Sequence, residues 1–371
     1  MKKNYYIENR YFYNHLTDGE KRLYRFMFDC LIKNIRKFIY IDKGEIYDED
    51  LLRKTNLPVF KCKDEEYIFI LKVWNAIAWD CPEFYFIDIY DFLWDENIVI
   101  MGKREDYYSA KEISEINQKL EEIYHKFDGI EDQFAVEVAV NEYISNNYDY
   151  DNLTEDYYEY SDSEKFDIKK WRRYKEKYNV AGLIKYNTGV CSAMAYLAQY
   201  IMQRKGLKVV NIEGKLKSDG EDSEGHRWLA INFEGKYYYL DVTWNNTFSK
   251  DKMDPQNMFF NVPLKEVEDY YILFDREYED VVCDCEDYNY YNKMNLYFLD
   301  GEKLQVALKK HILSTEKNGN WNYYYFKTAV SLSKNEVLKI IKEVLDECNI
   351  KNEEYKLKKV NQYYTVAFLA K

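Results

Sequence analysis

The segment from Gly225 to Trp244 constrains this chain more than any other. Gly225-His226-Arg227-Trp228-Leu229-Ala230-Ile231-Asn232-Phe233 reads as a strand, Glu234-Gly235 as a two-residue turn, and Lys236 to Trp244 as the returning strand. A two-residue loop sets Phe233 opposite Lys236, and counting outward sets His226 opposite Thr243. Asp241 shares the parity of Thr243, so the expectation is a diagonal neighbour of His226 on the same face. An imidazole and a carboxylate at that offset can touch. The carboxylate then holds the ring in one tautomer and stabilises the imidazolium. A slip of one residue would send the two to opposite faces, so the pairing is a definite commitment.

A nucleophile stands upstream. Asn187-Thr188-Gly189-Val190 precede a run with apolar positions at Met194, Leu197, Ala198 and Ile201, which is helical spacing, and Gly206 suits the far end as a C-cap. Cys191 then sits in the first turn. Unpaired backbone N–H groups and the positive end of the helix dipole favour a thiolate at such a position and offer a donor to an oxyanion. Each residue also has a plain structural reading: a packed cysteine, a strand histidine, an aspartate capping a turn. The coincidence of all three carries the chemical reading. Of four histidines (15, 125, 226 and 311), only His226 lies in a turn-bounded hairpin with a matched acid, and the others read as solvated.

Composition narrows the class. The 371 residues allow two or three domains at about 100–200 residues each, and 47% apolar residues suffice for a core. Forty tyrosines, in runs such as Tyr237-Tyr238-Tyr239, suit strands whose side chains cover an apolar neighbour and reach water with the hydroxyl. The net charge of −13, with no run of five basic residues, argues against a nucleic-acid partner. Seven cysteines at irregular spacing, no apolar leader after Met1-Lys2-Lys3, and no run of 18 apolar residues point to reduced thiols in the cytoplasm and no membrane partner. Neither metal nor other cofactor is expected. Cys283-x-Cys285 lacks the spacing that chelates zinc, and no P-loop or GxGxxG follows a strand.

Three regions separate on pattern. Residues 1–130 read as mainly helical. There, Thr17 and Glu20 form a capping-box spacing ahead of an apolar series at Leu23, Phe26, Met27, Cys30, Leu31, Ile35 and Phe38, and helices follow near Glu65–Trp79 and Ala110–Phe127. Residues 131–263 hold the candidate chemistry: a helix near Phe134–Asn146, a polar loop from Tyr148 to about Lys170, the Cys191 helix, a strand near Val209–Gly214, an exposed acidic loop at Lys217–Glu224, and the hairpin. Residues 264–371 alternate strand and helix as an α/β region, with Ser333 and Glu336 capping a helix whose stripe runs through Val337, Ile340, Ile341, Val344, Leu345 and Cys348.

Thr188-Gly189-Val190-Cys191-Ser192, Gly225-His226-Arg227-Trp228 and Tyr239-Leu240-Asp241-Val242-Thr243-Trp244 resemble the three signature blocks of the transglutaminase-like superfamily, in that family's order and spacing. Trp79-Asp80-Cys81-Pro82-Glu83-Phe84 is similar to a block in the helical extension of bacterial Firmicutes-type members. The resemblance implies a papain-like α+β core with Cys191 as nucleophile, His226 as general base and acid, and Asp241 as its orienter, acting on a peptide or protein substrate. Family members usually carry Asn where Leu229 stands, and many carry Gln-Gly or Ser-Gly where Ser192-Ala193 stand. Animal members supply a second oxyanion donor from an upstream Trp; Trp171, Tyr148 and Tyr150 are the positions open to that role. A protease, a deamidase or a transglutaminase would all suit these residues, and the rival reading is an idle fold used for binding.

Overall fold

The computed structural model describes residues 7–33, 37–41, 45–48, 53–56, 63–86, 92–95, 98–101, 108–152, 168–217, 225–250, 256–273, 278, 280–314, 322–329, 332–350, 352–360 and 363–370; within 37–56, 92–101 and 352–360 only the backbone is described. The fold is α+β. The chain divides into two compact units, Met1–Val140 with Asp151–Asn211, and Asn141–Tyr150 with Ile212–Lys371.

In the first unit, helix α1 (Asp18–Ile32) begins at the expected capping box. Glu20 N donates to Thr17 Oγ1, and Thr17 N donates back to Glu20 Oε2 at 2.7 Å, so two otherwise orphaned donors are satisfied. Leu23, Phe26, Met27, Cys30 and Leu31 form its buried stripe. The expected continuation through Phe38 fails: the helix stops at Ile32, Ile35 lies outside the described residues, and Phe38 belongs to strand β1 (Lys37–Ile41). With β2 (Glu45–Asp48) and β3 (Arg53–Asn56), then helix α2 (Lys63–Asp80), then β4 (Phe92–Asp95) and β5 (Ile98–Met101), this region holds a five-stranded antiparallel sheet in the order β3-β2-β1-β5-β4. The sequence reading finds the helices here but not these strands of four or five residues.

Helix α2 ends before Pro82, as expected, and its C-terminus is locked to the start of the chain. Arg10 is 1% exposed and donates to Asp80 O (2.7 Å), Cys81 Sγ (2.7 Å) and Glu83 Oε1 (2.6 Å), while Asp80 accepts from the backbone N–H groups of Phe12 and Tyr13. Burial pushes the Asp80 carboxyl up to about 7, against the opposing pull of Arg10 and those N–H groups, and pushes the Cys81 thiol well up. The Asp-Cys-Pro-Glu block is therefore a buried polar clamp.

Helix α3 (Ala110–Tyr124) follows, and α4 (Gln133–Asn147) begins in the first unit and ends in the second. Of the expected loop from Tyr148 to Lys170, residues 153–167 lie outside the described residues, and Ile168 to Lys170 instead open helix α5 (Ile168–Glu176). Helices α6 (Val180–Tyr186) and α7 (Cys191–Arg204) complete the unit.

Strand β6 (Lys208–Leu216) begins in the first unit and ends in the second, where it joins β7 (Gly225–Phe233), β8 (Lys236–Leu240) and, after helix α8 (Val242–Ser249), β9 (Tyr271–Leu273) in a four-stranded sheet, β8-β7-β6-β9 in spatial order. Residues 218–224 of the expected acidic loop lie outside the described residues. Then come β10 (Tyr297–Phe298), helix α9 (Gly301–Ser314), β11 (Asn322–Ala329), helix α10 (Lys334–Glu347), β12 (Asn352–Val360) and β13 (Tyr363–Ala370), an alternation of strand and helix as expected. These strands form the sheet β10-β11-β13-β12. Leu304, Leu308 and Ile312 from α9 and Val337, Ile341 and Val344 from α10 share one core with Tyr324, Phe326 and Val366 of the strands. Among the described residues no helix is long and apolar enough to cross a membrane.

Candidate active site

The turn decides the hairpin. Glu234 (φ 53°) and Gly235 (φ 87°) both take left-handed backbone, which matches the twist of a two-residue hairpin loop. The register is the expected one, from Lys236 opposite Phe233 to Leu240 opposite Leu229. The returning strand is shorter than expected, however. It ends at Leu240, and Val242 to Trp244 open helix α8 instead of continuing the strand. The reason is Asp241 itself: its Oδ1 accepts from the backbone N–H groups of Thr243 (2.9 Å) and Trp244 (3.0 Å), which makes it the N-cap of α8.

Capping does not remove Asp241 from His226. His226 Nε2 donates to Asp241 Oδ2 at 2.6 Å, and the two residues are 5% and 1% exposed. A charge-assisted bond of that length, shielded from water, fixes both the tautomer and the tilt of the ring. Tyr271 at the start of β9 donates its hydroxyl to the same Oδ2 at 2.7 Å. The Tyr271 and His226 rings lie 5.7 Å apart and 23° from parallel, and the fully buried Trp228 stacks on Tyr271 at 4.6 Å. Burial and the neighbouring Asp241 charge push the Tyr271 phenol well above its ordinary value, so it remains a donor.

Helix α8 is held in turn by two asparagines that sequence reasoning did not single out. Asn246, fully buried, donates to Tyr148 O (2.9 Å) and Ile144 O (3.2 Å). Asn245 donates to Asn141 Oδ1 (3.2 Å) and accepts from Phe259 N (3.0 Å). Two adjacent amides directly after a helix-opening Asp-Val-Thr-Trp are a signal that could have marked them. The other three histidines are exposed: His15 contacts the Tyr11 carbonyl, His125 pairs with Asp128, and His311 lies edge-on to Tyr324.

Cys191 belongs to the first unit, His226 and Asp241 to the second. The structure joins the last two by a hydrogen bond and places Cys191 as the first residue of α7, 9% exposed. No side chain caps that helix end, because Val190 occupies the N-cap position. Its approach is fixed from both sides: Val190 N donates to Lys177 O (3.0 Å), and Ser192 Oγ donates to Tyr178 O (2.9 Å). Gly189 is needed there, since a Cβ would stand 2.9 Å from both Ala193 Cβ and Leu183 Cδ1. Trp171, one of the residues open to a second oxyanion role, stacks on Tyr174 in the same unit.

Residues 114–249 match the family model described as a transglutaminase-like domain. No curated protein matches the chain. A solved structure of a candidate cysteine protease from Cytophaga hutchinsonii matches at 14% identity with a TM-score of 0.26, over 50% of this chain and 58% of that one. The chain thus spans under two thirds of that protein's length, and at that TM-score the likeness carries no argument. The cysteine block, the histidine strand and the aspartate block all fall within the matched stretch, so the central part of this chain is similar to a transglutaminase-like domain.

Proposed function

We propose that the protein is a thiol enzyme in which Cys191, His226 and Asp241 act as one triad on a peptide or protein amide. The observation that carries the reading is the buried His226–Asp241 hydrogen bond, which Oδ2 makes while Oδ1 caps helix α8. With Nε2 committed to Asp241, Nδ1 is the nitrogen assigned to exchange a proton with the sulfur. The Cys191 thiolate attacks a glutamine carboxamide or a peptide carbonyl, and first-turn N–H groups of α7 receive the developing oxyanion. His226 gives its proton to the leaving amine, and the C–N bond breaks to leave a thioester on Cys191. Water or a second amine, deprotonated by His226, then attacks the thioester and releases Cys191. Water gives a deamidase or protease; an amine gives a transglutaminase.

The test is incubation with a glutamine-rich protein and a fluorescent primary amine, reading label incorporation, ammonia and new N-termini together. The proposal expects at least one product from the native chain and none from Cys191→Ala or His226→Ala. If the variants match the native chain, or no product forms over a broad protein panel, the domain is a binding fold rather than an enzyme.

A further inference from the structure

We propose that Tyr271 is a positioning residue of this site, whose hydroxyl shares Asp241 Oδ2 with His226 and so sets how tightly the imidazole holds its proton. The inference rests on the triad reading for its catalytic meaning, though not for its geometry. A carboxylate offers about four acceptor positions, and four donors occupy those of Asp241: Thr243 N and Trp244 N on Oδ1, His226 Nε2 and the Tyr271 hydroxyl on Oδ2. The carboxylate cannot rotate or take a proton without losing one of them. Oδ1 alone would fix its orientation, so the contribution of Tyr271 falls on the oxygen that His226 uses.

Two donors on one oxygen compete for its charge. The tyrosine hydroxyl withdraws part of the negative charge that would otherwise stabilise the imidazolium. An imidazole held too basic is a poor proton donor to a leaving amine, and a catalytic pKa near the working pH serves both halves of the reaction. The ring of Tyr271 has a separate task, packing against His226 and Trp228. Among the described residues of its unit, two further titratable side chains stand close by: Tyr239, edge-on to Trp228, and Arg227, which pairs with Glu213 of β6. The Tyr239 hydroxyl is pushed well up by burial, and Arg227 keeps its charge, so neither titrates alongside the histidine.

The experiment uses the full chain with Cys191→Ala, in which the ring nitrogens of His226 are titrated by NMR and assigned by comparison with His226→Ala. Adding Tyr271→Phe keeps the ring and removes the donor; the His226 pKa is expected to rise by roughly half a unit to one unit. Placing 3-fluorotyrosine at position 271, a stronger donor of nearly the same shape, is expected to lower it. A residue that only packs would move it in neither case. An unchanged pKa in both variants, or shifts of the same sign, overturns the proposal. Should Tyr271→Phe fail to fold, the fluorinated chain alone decides. In the native background the pH–rate profile should move with the NMR pKa while KM stays put. Activity that survives Cys191→Ala would refute the triad reading, whereas the titration of His226 judges Tyr271 on its own.

Discussion

Adding one methyl group at Gly214 tests whether the aromatic stack beneath His226 is a working part of the site. A Cβ built there stands 2.3 Å from the Ile272 carbonyl oxygen and 2.6 Å from Trp228 Cη2. Comfortable separations for such atoms lie near ~3.5 Å, so one or both neighbours must retreat by about 1 Å. Ile272 is backbone in β9 and directly follows Tyr271, while Trp228 stacks on Tyr271, so either retreat displaces the group bonded to Asp241 Oδ2. Overpacking of this kind costs about 1–3 kcal/mol of stability, and a displacement of about 1 Å near the reacting groups costs on the order of 100-fold in rate. Gly225→Ala is the matched control in the same sheet, because a Cβ there meets no described atom within 4 Å. Urea unfolding and kcat/KM on the best substrate of the amine assay measure both effects. Gly214→Ala is expected to lose rate well beyond its loss of stability, with Gly225→Ala close to native. Native kcat/KM in Gly214→Ala would refute the claim that the stack positions His226.

Two further outcomes follow from buried charge. Lys327 and Glu266 pair at 2.6 Å with side chains 5% and 3% exposed, and burial already raises the Glu266 carboxyl against the pull of Lys327. Lys327→Met should cost about 3–5 kcal/mol in urea unfolding, and Lys327→Met with Glu266→Leu should recover most of it, since a stranded charge costs more than a missing pair. Asp80 is raised from 3.8 to about 7, so the folded chain binds that proton more tightly than the unfolded one. Its contribution is present below about pH 4 and lost as pH climbs through 7. The stability of the native chain relative to Asp80→Asn should therefore fall across that window, by up to about 4 kcal/mol at ~1.4 kcal/mol per unit. A flat difference would contradict the burial of that carboxyl.

What the sequence discloses here is whatever is decided locally. The Thr17–Glu20 and Ser333–Glu336 boxes are complete within four residues, and both appear at the helix starts they mark. The Glu234-Gly235 turn fixes the hairpin register because its two residues alone set the strand twist. The end of β8 was not legible in the same way. Val242, Thr243 and Trp244 have strand propensity, and only the capping bonds of Asp241 turn them into a helix. Phe38 fits the periodicity of α1 yet pairs in a sheet, because short strands depend on partners remote in sequence. Tyr271 reaches Asp241 across 30 residues, and nothing local separates it from the other tyrosines of the chain.

In the proposed triad, Cys191 owes its reactivity to His226 and Asp241. Iodoacetamide labelling followed by mass spectrometry, across pH 5 to 9 and over all seven cysteines, tests it most directly. Fast modification of Cys191 alone is expected, with a rate that loses its plateau at neutral pH in His226→Ala and is reduced in Asp241→Ala. Equal labelling of the seven cysteines, or a Cys191 rate untouched by either substitution, would contradict it.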